Sequence, residues 1–266
     1  MDVDIAAYCA RIGVSGPLPP TAATLRRLHY AHMLAVPFEN LDIHWGRPIV
    51  LEEARLFEKL VTQGRGGFCY EQNGLFAMAL RALGFTVDLL EARVGANPWE
   101  DGLPWDHLTL RVTLKERWLA DVGFGDGFRE PLLLDEAGPQ AHADGVWRVQ
   151  HDGCEGLHTS RTAAGAWKPE YRFRLRPCQL TDFTPGCEHH QHSPESHFTQ
   201  KRVCSLATET GRITLSDLCL IETDGFPSRA IAGSGKSEAP RREERDLADE
   251  AEFLQLLRER FGIEKI

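Results

Sequence analysis

The feature that most constrains this chain is a change of period at Gly84: before it apolar residues recur at helical spacing, and after it they alternate. Thr21 stands where an N-cap would, and Leu25, Leu28, His32 and Ala35 follow one face until Pro37 stops the run. A second helix is predicted over 52–62, with Leu56, Phe57 and Leu60 inward. A third runs from Cys69 through Leu75, Met78, Ala79 and Leu83, and Gly84 caps it. In the stretch His107–Leu114, Leu108, Leu110, Val112 and Leu114 share one face, while His107, Thr109, Arg111 and Thr113 share the other, polar one. With further strands predicted at 85–94, 117–122, 146–150 and 166–176, this region reads as an antiparallel sheet or small barrel. A polar stretch from Thr184 to Ser196 reads as a connection, and Val203–Thr208 with Ile213–Thr223 as a hairpin. A charged loop, 233–246, precedes a closing amphipathic helix with Phe253, Leu256, Leu257 and Phe261 on its inner face and Gly262 as its cap.

A length of 266 residues with 42% apolar content is enough to bury a core, in one large domain or a few packed modules. The formal charge of −9 argues against nucleic-acid binding, which needs concentrated Lys and Arg. The first residues carry acids where a secretory signal would carry bases, and no apolar run is long enough to span a membrane, so the expectation is a soluble, cytoplasmic protein with no membrane partner. Seven cysteines, an odd number without CxxC pairs, fit a reducing compartment better than a disulfide framework. Cys178, Cys187, His189, His190, His192 and His197 crowd into one region, but without the paired spacing of a structural zinc site, so no metal is expected.

Chemistry concentrates in Arg65-Gly-Gly-Phe-Cys-Tyr-Glu-Gln-Asn-Gly74, where a glycine-rich turn gives way to a helix beginning at Cys69. Backbone N–H groups and the positive helix end there favour thiolate, which lowers a thiol's pKa. A nucleophile also needs a base and a group that orients the base. His107 begins one strand, and Asp121 lies near the end of the next, in Leu119-Ala-Asp-Val-Gly-Phe-Gly125. With a hairpin turn at Lys115 and Glu116, Asp121 falls beside Leu110 rather than opposite His107, so a bulge or strand tilt is needed to join them.

These segments, together with Val36-Pro-Phe-Glu-Asn-Leu41, Asp106-His-Leu-Thr-Leu110, His192-Ser-Pro-Glu-Ser-His-Phe-Thr199 and Thr210-Gly-Arg-Ile-Thr-Leu215, resemble the arylamine N-acetyltransferase family in order and spacing, over nearly the whole chain. The resemblance implies an α+β fold: an N-terminal helical bundle (1–84), a central antiparallel β-barrel (85–190) and a C-terminal α/β lid (191–266). It carries a catalytic triad onto Cys69, His107 and Asp121. It further implies acetyl-CoA as the acyl donor, an arylamine or hydrazine as acceptor, ping-pong kinetics through an acetyl-cysteine and a role in xenobiotic acetylation, in a monomer or homodimer. Phe38, Phe124 and Val94 become candidates for the acceptor wall. For CoA the candidates are Gly123 and Gly125, within Gly123-Phe-Gly-Asp-Gly127, with Ser193, Thr199, Lys201 and Arg202. The same triad also suits an amide synthase fed by a carrier-bound acyl thioester, or a Cys-His-Asp hydrolase.

Overall fold

The computed structural model describes residues 3–95, 103–162, 164–226 and 240–264. Five helical segments lead: α1 (Ile5–Arg11), α2 (Ala22–Ala35), α3 (Leu41–His44), α4 (Glu53–Phe57) and α5 (Cys69–Ala82), with a two-residue strand β1 (Phe38–Glu39) after α2. The Thr21 hydroxyl caps α2 by accepting the Thr24 N–H at 3.2 Å. Val36 is extended, as the residue before a proline must be, and ends the helix. The predicted helix over 52–62 begins as α4 but widens to a π-helical turn at Glu58–Thr62, where the Lys59 ammonium turns inward. Every residue of α5 from Cys69 to Leu80 is buried, so this helix is the central element of the first half.

Eight antiparallel strands follow: β2 (Thr86–Val94), β3 (His107–Thr113), β4 (Arg117–Ala120), β5 (Leu132–Leu133), β6 (Gln140–Ala141), β7 (Val146–His151), β8 (Glu155–Arg161) and β9 (Trp167–Cys178). They form one sheet in the order β5-β4-β3-β2-β9-β8-β7-β6. Its two edges meet through a side chain: the Gln140 amide accepts from the Leu133 N–H at 2.7 Å and donates to the Leu133 carbonyl at 2.8 Å, drawing the sheet toward closure. The β3 face carrying Leu108, Leu110 and Val112 packs on α5, while Leu90, Leu119, Phe128, Trp147, Tyr171 and Phe173 fill the other side of the sheet. The first half of the β3 face expected to be polar is buried too, with His107 and Thr109 only 2% and 0% exposed, while Arg111 and Thr113 are half-buried.

The stretch expected to be a connection is instead helical, with α6 (Thr184–His192) and α7 (His197–Gln200). It lacks apolar periodicity because the buried residues of α6 are small or polar, Gly186, Cys187, His190 and Gln191, and a Cβ on Gly186 would lie 2.2 Å from the Trp105 carbonyl oxygen. The predicted hairpin is three strands, β10 (Val203–Ala207), β11 (Gly211–Ser216) and β12 (Cys219–Asp224), because Asp217 turns the chain at φ +50°. Of the expected charged loop, 233–239 lies outside the described residues, and Arg241–Asp246 is the strand β13. The second sheet runs β1-β10-β11-β12-β13, and α8 (Glu250–Phe261) covers it with Phe253, Leu257 and Phe261. The Arg129 guanidinium, from the loop after β4, donates to the Thr208 and Gly211 carbonyls and so ties the two sheets together. Among the described residues, no helix is long and apolar enough to cross a membrane.

Candidate active site

Strand β4 stops at Ala120, while its partner β3 runs back to His107. The ladder pairs Leu110 with Ala120 and Arg111 with Leu119, which sets Asp121 across from Thr109. That register differs by one residue from the sequence expectation, and a one-residue shift exchanges the faces of a strand. Asp121 therefore shares the His107 face as its diagonal neighbour, and no bulge is needed. His107 Nε2 and Asp121 Oδ2 are 2.7 Å apart.

β3 pairs with β2 through Leu108, opposite Glu91, but the end of β4 leaves the other side of Leu108 without a strand partner, and the start of α5 fills the gap. Asn73, one turn after Cys69, donates to the Leu108 carbonyl at 2.6 Å, while the Leu108 N–H faces the Cys69 sulfur. The same Asn73 amide donates to Asp121 Oδ1 at 2.8 Å and accepts from the Val122 N–H at 2.9 Å. Asp121 Oδ1 also accepts the Gly123 N–H at 3.0 Å. Burial opposes the Asp121 charge, but His107 and these donors outweigh it and hold the carboxyl below its usual pKa. A Cβ on Gly123 would sit 2.8 Å from the Cys69 Cα and carbonyl oxygen, so the Asp121–Gly125 segment lies directly on the start of α5. Cys69, His107 and Asp121 are thus gathered into one buried cluster. Burial, followed by the Asp106 charge, pushes the Cys69 thiol up, and the Leu108 N–H opposes this only in part. The helix end alone does not set the thiol, contrary to the sequence expectation, because Cys69 is only 4% exposed.

A buried ion network fixes the turn that presents Cys69. Arg65 donates to Glu39 at 2.7 Å and to Asp42 at 3.0 Å. Lys59 lies 2.7 Å from both Asp42 and Glu71. Glu71 reaches back to accept the Phe68 N–H at 3.2 Å, closing the first turn of α5. Burial works against the Lys59 ammonium, but Glu71, Glu39 and Asp42 outweigh it and keep it charged. Gln72 donates to the Pro37 carbonyl at 2.7 Å and the Gly67 carbonyl at 3.2 Å, pinning β1 to the turn.

Residues 21–265 match the family described as N-acetyltransferase. The arylamine N-acetyltransferase of Escherichia coli is 34% identical, over 96% of this chain and 87% of its own. The solved arylamine N-acetyltransferase of Salmonella typhimurium superposes with a TM-score of 0.86 at 33% identity, covering 97% of this chain and 90% of the other. The Mycobacterium marinum enzyme, solved in complex with CoA, gives a TM-score of 0.84 at 29% identity, covering 98% and 93%. The chain belongs to the arylamine N-acetyltransferase family. It is an acetyltransferase, and its α+β fold is the one these solved members of the family share.

Beside the cluster of this family member opens a cavity of about 640 Å³, lined in part by Phe38, Gly125, Trp147, Arg161, Lys168 and Arg212. Phe38, on β1, pairs across the sheet with Ser205. The Phe124 ring stands edge-on to His107, with centroids 5.3 Å apart. Val94 is 46% exposed at the end of β2 and does not line the cavity. Gly125, at φ +78°, faces the cavity beside Phe38, whereas the Gly123 N–H is taken by Asp121. Ser193 and Thr199 bond each other instead of facing the cavity: the Thr199 hydroxyl donates to the Ser193 carbonyl at 2.7 Å. Arg202 pairs with Glu250 at 2.9 Å, and Lys201 is exposed outside the cavity lining. In the His-rich region, His190 lies between Ser196 Oγ at 3.0 Å and Asp106 Oδ1 at 3.1 Å. Among the described residues, no three groups are placed to hold a metal.

Sequence reasoning missed Asn73, Lys59, Arg212 and His29 as parts of the site or its support. Asn73 carried a readable signal, since it lies four residues after Cys69 on one helix face.

Proposed function

We propose that this enzyme moves an acetyl group from acetyl-CoA to an arylamine, arylhydrazine or N-hydroxyarylamine by a ping-pong mechanism, through a thioester on Cys69. The observation that carries this reading is the buried His107–Asp121 pair at 2.7 Å beside a helix that begins at Cys69. Because Asp121 holds Nε2–H, the basic nitrogen of His107 is Nδ1. His107 Nδ1 takes the Cys69 proton, and the sulfur attacks the acetyl carbonyl. The carbon–sulfur bond to CoA breaks, the imidazolium returns the proton to the departing thiolate, and acetyl-Cys69 remains. In the second half-reaction the amine attacks, His107 takes its proton, and the Cys69 sulfur leaves. The Cys69 N–H, at the first position of α5, is the donor assigned to the oxyanion.

Arylamines suit this site because their weakly basic nitrogen stays neutral and nucleophilic at pH 7, and Phe38 and Phe124 offer flat apolar contacts. The cavity suits the donor: Arg161, Lys168 and Arg212 line it and are cations of the kind that meet phosphate. CoA in the Mycobacterium marinum relative supports the same reading.

The test is intact mass with peptide mapping after mixing the protein with acetyl-CoA and no amine, beside Cys69→Ala. One acetyl group on Cys69, absent from the variant and discharged by 4-aminobenzoate, is the expected result. No label on a Cys69 that still reacts with iodoacetamide would overturn acetyl-CoA as donor and point to a carrier-bound thioester or a hydrolase.

A further inference from the structure

The loop from Asp121 to Arg129 carries the carboxylate behind His107, the Phe124 ring beside it, and the cavity-lining Gly125, Asp126, Gly127 and Arg129. Glycines at 123, 125 and 127 give it little stiffness of its own. Both of its ends rest on one side chain from α2. His29 Nδ1 lies 2.8 Å from the Arg129 carbonyl, and His29 Nε2 lies 3.1 Å from the Asp121 backbone nitrogen. A carbonyl only accepts and a backbone N–H only donates, so a single tautomer satisfies both, with Nδ1–H donating and Nε2 accepting. The ring is fully buried, stacked on Phe128 at 5.6 Å and edge-on to Phe76 at 5.7 Å. Burial lowers its pKa to about 4, against the pull of the Arg129 carbonyl and Asp121 and with the help of His142, so the imidazole is neutral, as the bridge requires.

We infer that His29 is a positioning residue for acyl transfer, bridging the Asp121 N–H and the Arg129 carbonyl and so fixing the loop that aims His107 and the Phe124 wall. This rests on the proposed roles of Cys69, His107 and Asp121. Loosening the bridge moves the carboxylate behind the base, which slows acylation, and moves Phe124, which weakens the hold on the acceptor. Other contacts hold the two ends of the loop separately, Asn73 bonding Val122 from the α5 side, and Asp144 with the Thr208 and Gly211 carbonyls holding Arg129, whereas His29 joins one end to the other.

The experiment compares wild type, His29→Phe and His29→Gln. Phenylalanine keeps the ring and its stacking but removes both hydrogen bonds, whereas the glutamine amide offers one donor and one acceptor at similar separation. The expected result is a loss of about tenfold or more in single-turnover acetylation of Cys69 and a higher arylamine KM in His29→Phe, both largely recovered in His29→Gln. The pH profile of iodoacetamide alkylation at Cys69, which needs no acetyl-CoA, shifts in His29→Phe and returns in His29→Gln. Should wild type fail to take acetyl from acetyl-CoA while this profile still shifts, the positioning role stands and the proposed donor falls. A folded His29→Phe with wild-type acetylation, KM and alkylation overturns the inference. Should His29→Phe not fold, nitrogen NMR of the wild-type ring decides: an Nδ1–H tautomer supports the bridge, and an Nε2–H tautomer or an imidazolium at pH 7 overturns it.

Discussion

Asn73 shows how much one amide can organise. Its nitrogen joins the Leu108 carbonyl to Asp121, and its oxygen holds the Val122 N–H, so the backbone beside His107 and the carboxylate behind it share one anchor on the helix that carries Cys69. Asn73→Ala removes a donor to a charged group and frees the end of β4. A hydrogen bond to a charged group contributes about 1.5–3 kcal/mol, so acetylation measured as kcat/KM is expected to fall roughly 10- to 100-fold. A variant with wild-type kcat/KM would show that the ladder alone positions Asp121. Gly123 makes a related point about legibility. Its glycine-rich surroundings read as a phosphate turn, but the structure requires glycine there because Cys69 backbone stands 2.8 Å from where a Cβ would be. A sequence records that a glycine is present and not which neighbour excludes a side chain.

At the scale of elements, the helices α2, α5 and α8 and most strands were legible because their apolar period matched their burial, from Leu25 and Leu28 on α2 to Leu108, Leu110 and Val112 on β3. Three things were not. The hairpin register depended on one residue of turn geometry, which decided the face on which Asp121 lies. The short strands β5 and β6 and the helix α6 have too few apolar positions to show a period. The ion network around Arg65 joins Glu39, Asp42, Lys59 and Glu71 from β1, α3, the widened turn after α4, and α5, and no local pattern announces such a convergence. Arg65 is 2% exposed and also lies 4.8 Å over the Trp45 ring. Arg65→Gln would leave Glu39 and Asp42 short of their counter-charge inside the protein. Breaking a buried pair from one side costs about 3–5 kcal/mol, so the urea midpoint is expected to drop sharply, with activity lost through unfolding rather than through altered chemistry. A midpoint within experimental error of wild type would mean that Lys59 alone suffices for these carboxylates.

Across the whole molecule, burial of titratable groups dictates how stability responds to acid. His29, His32 and His158 are fully buried, and burial, the largest cause for each, lowers them to about 4, about 3 and about 3. His158 sits 4.9 Å from the Tyr171 ring, and although the Asp121 charge and the Arg148 carbonyl favour a proton on it, burial and the neighbouring His107 outweigh them. Below the ordinary histidine value near 6.5 the unfolded chain takes up three protons that the folded chain refuses, and stability falls as pH falls, until the folded values are reached. Glu71 works the other way. Burial raises it to about 7 against Lys59, so its contribution is present at low pH and lost as pH rises from about 4.5 to 7. Near pH 5 the difference is roughly two protons, a slope of about 2.7 kcal/mol per pH unit. Urea unfolding at pH 7, 6 and 5 should therefore show a midpoint that falls progressively. His158→Phe, which keeps an aromatic ring against Tyr171 and cannot titrate, should flatten that decline by about one proton. A midpoint unchanged between pH 6.5 and 5, or a slope that His158→Phe leaves as it was, would mean that these rings already carry protons in the folded protein.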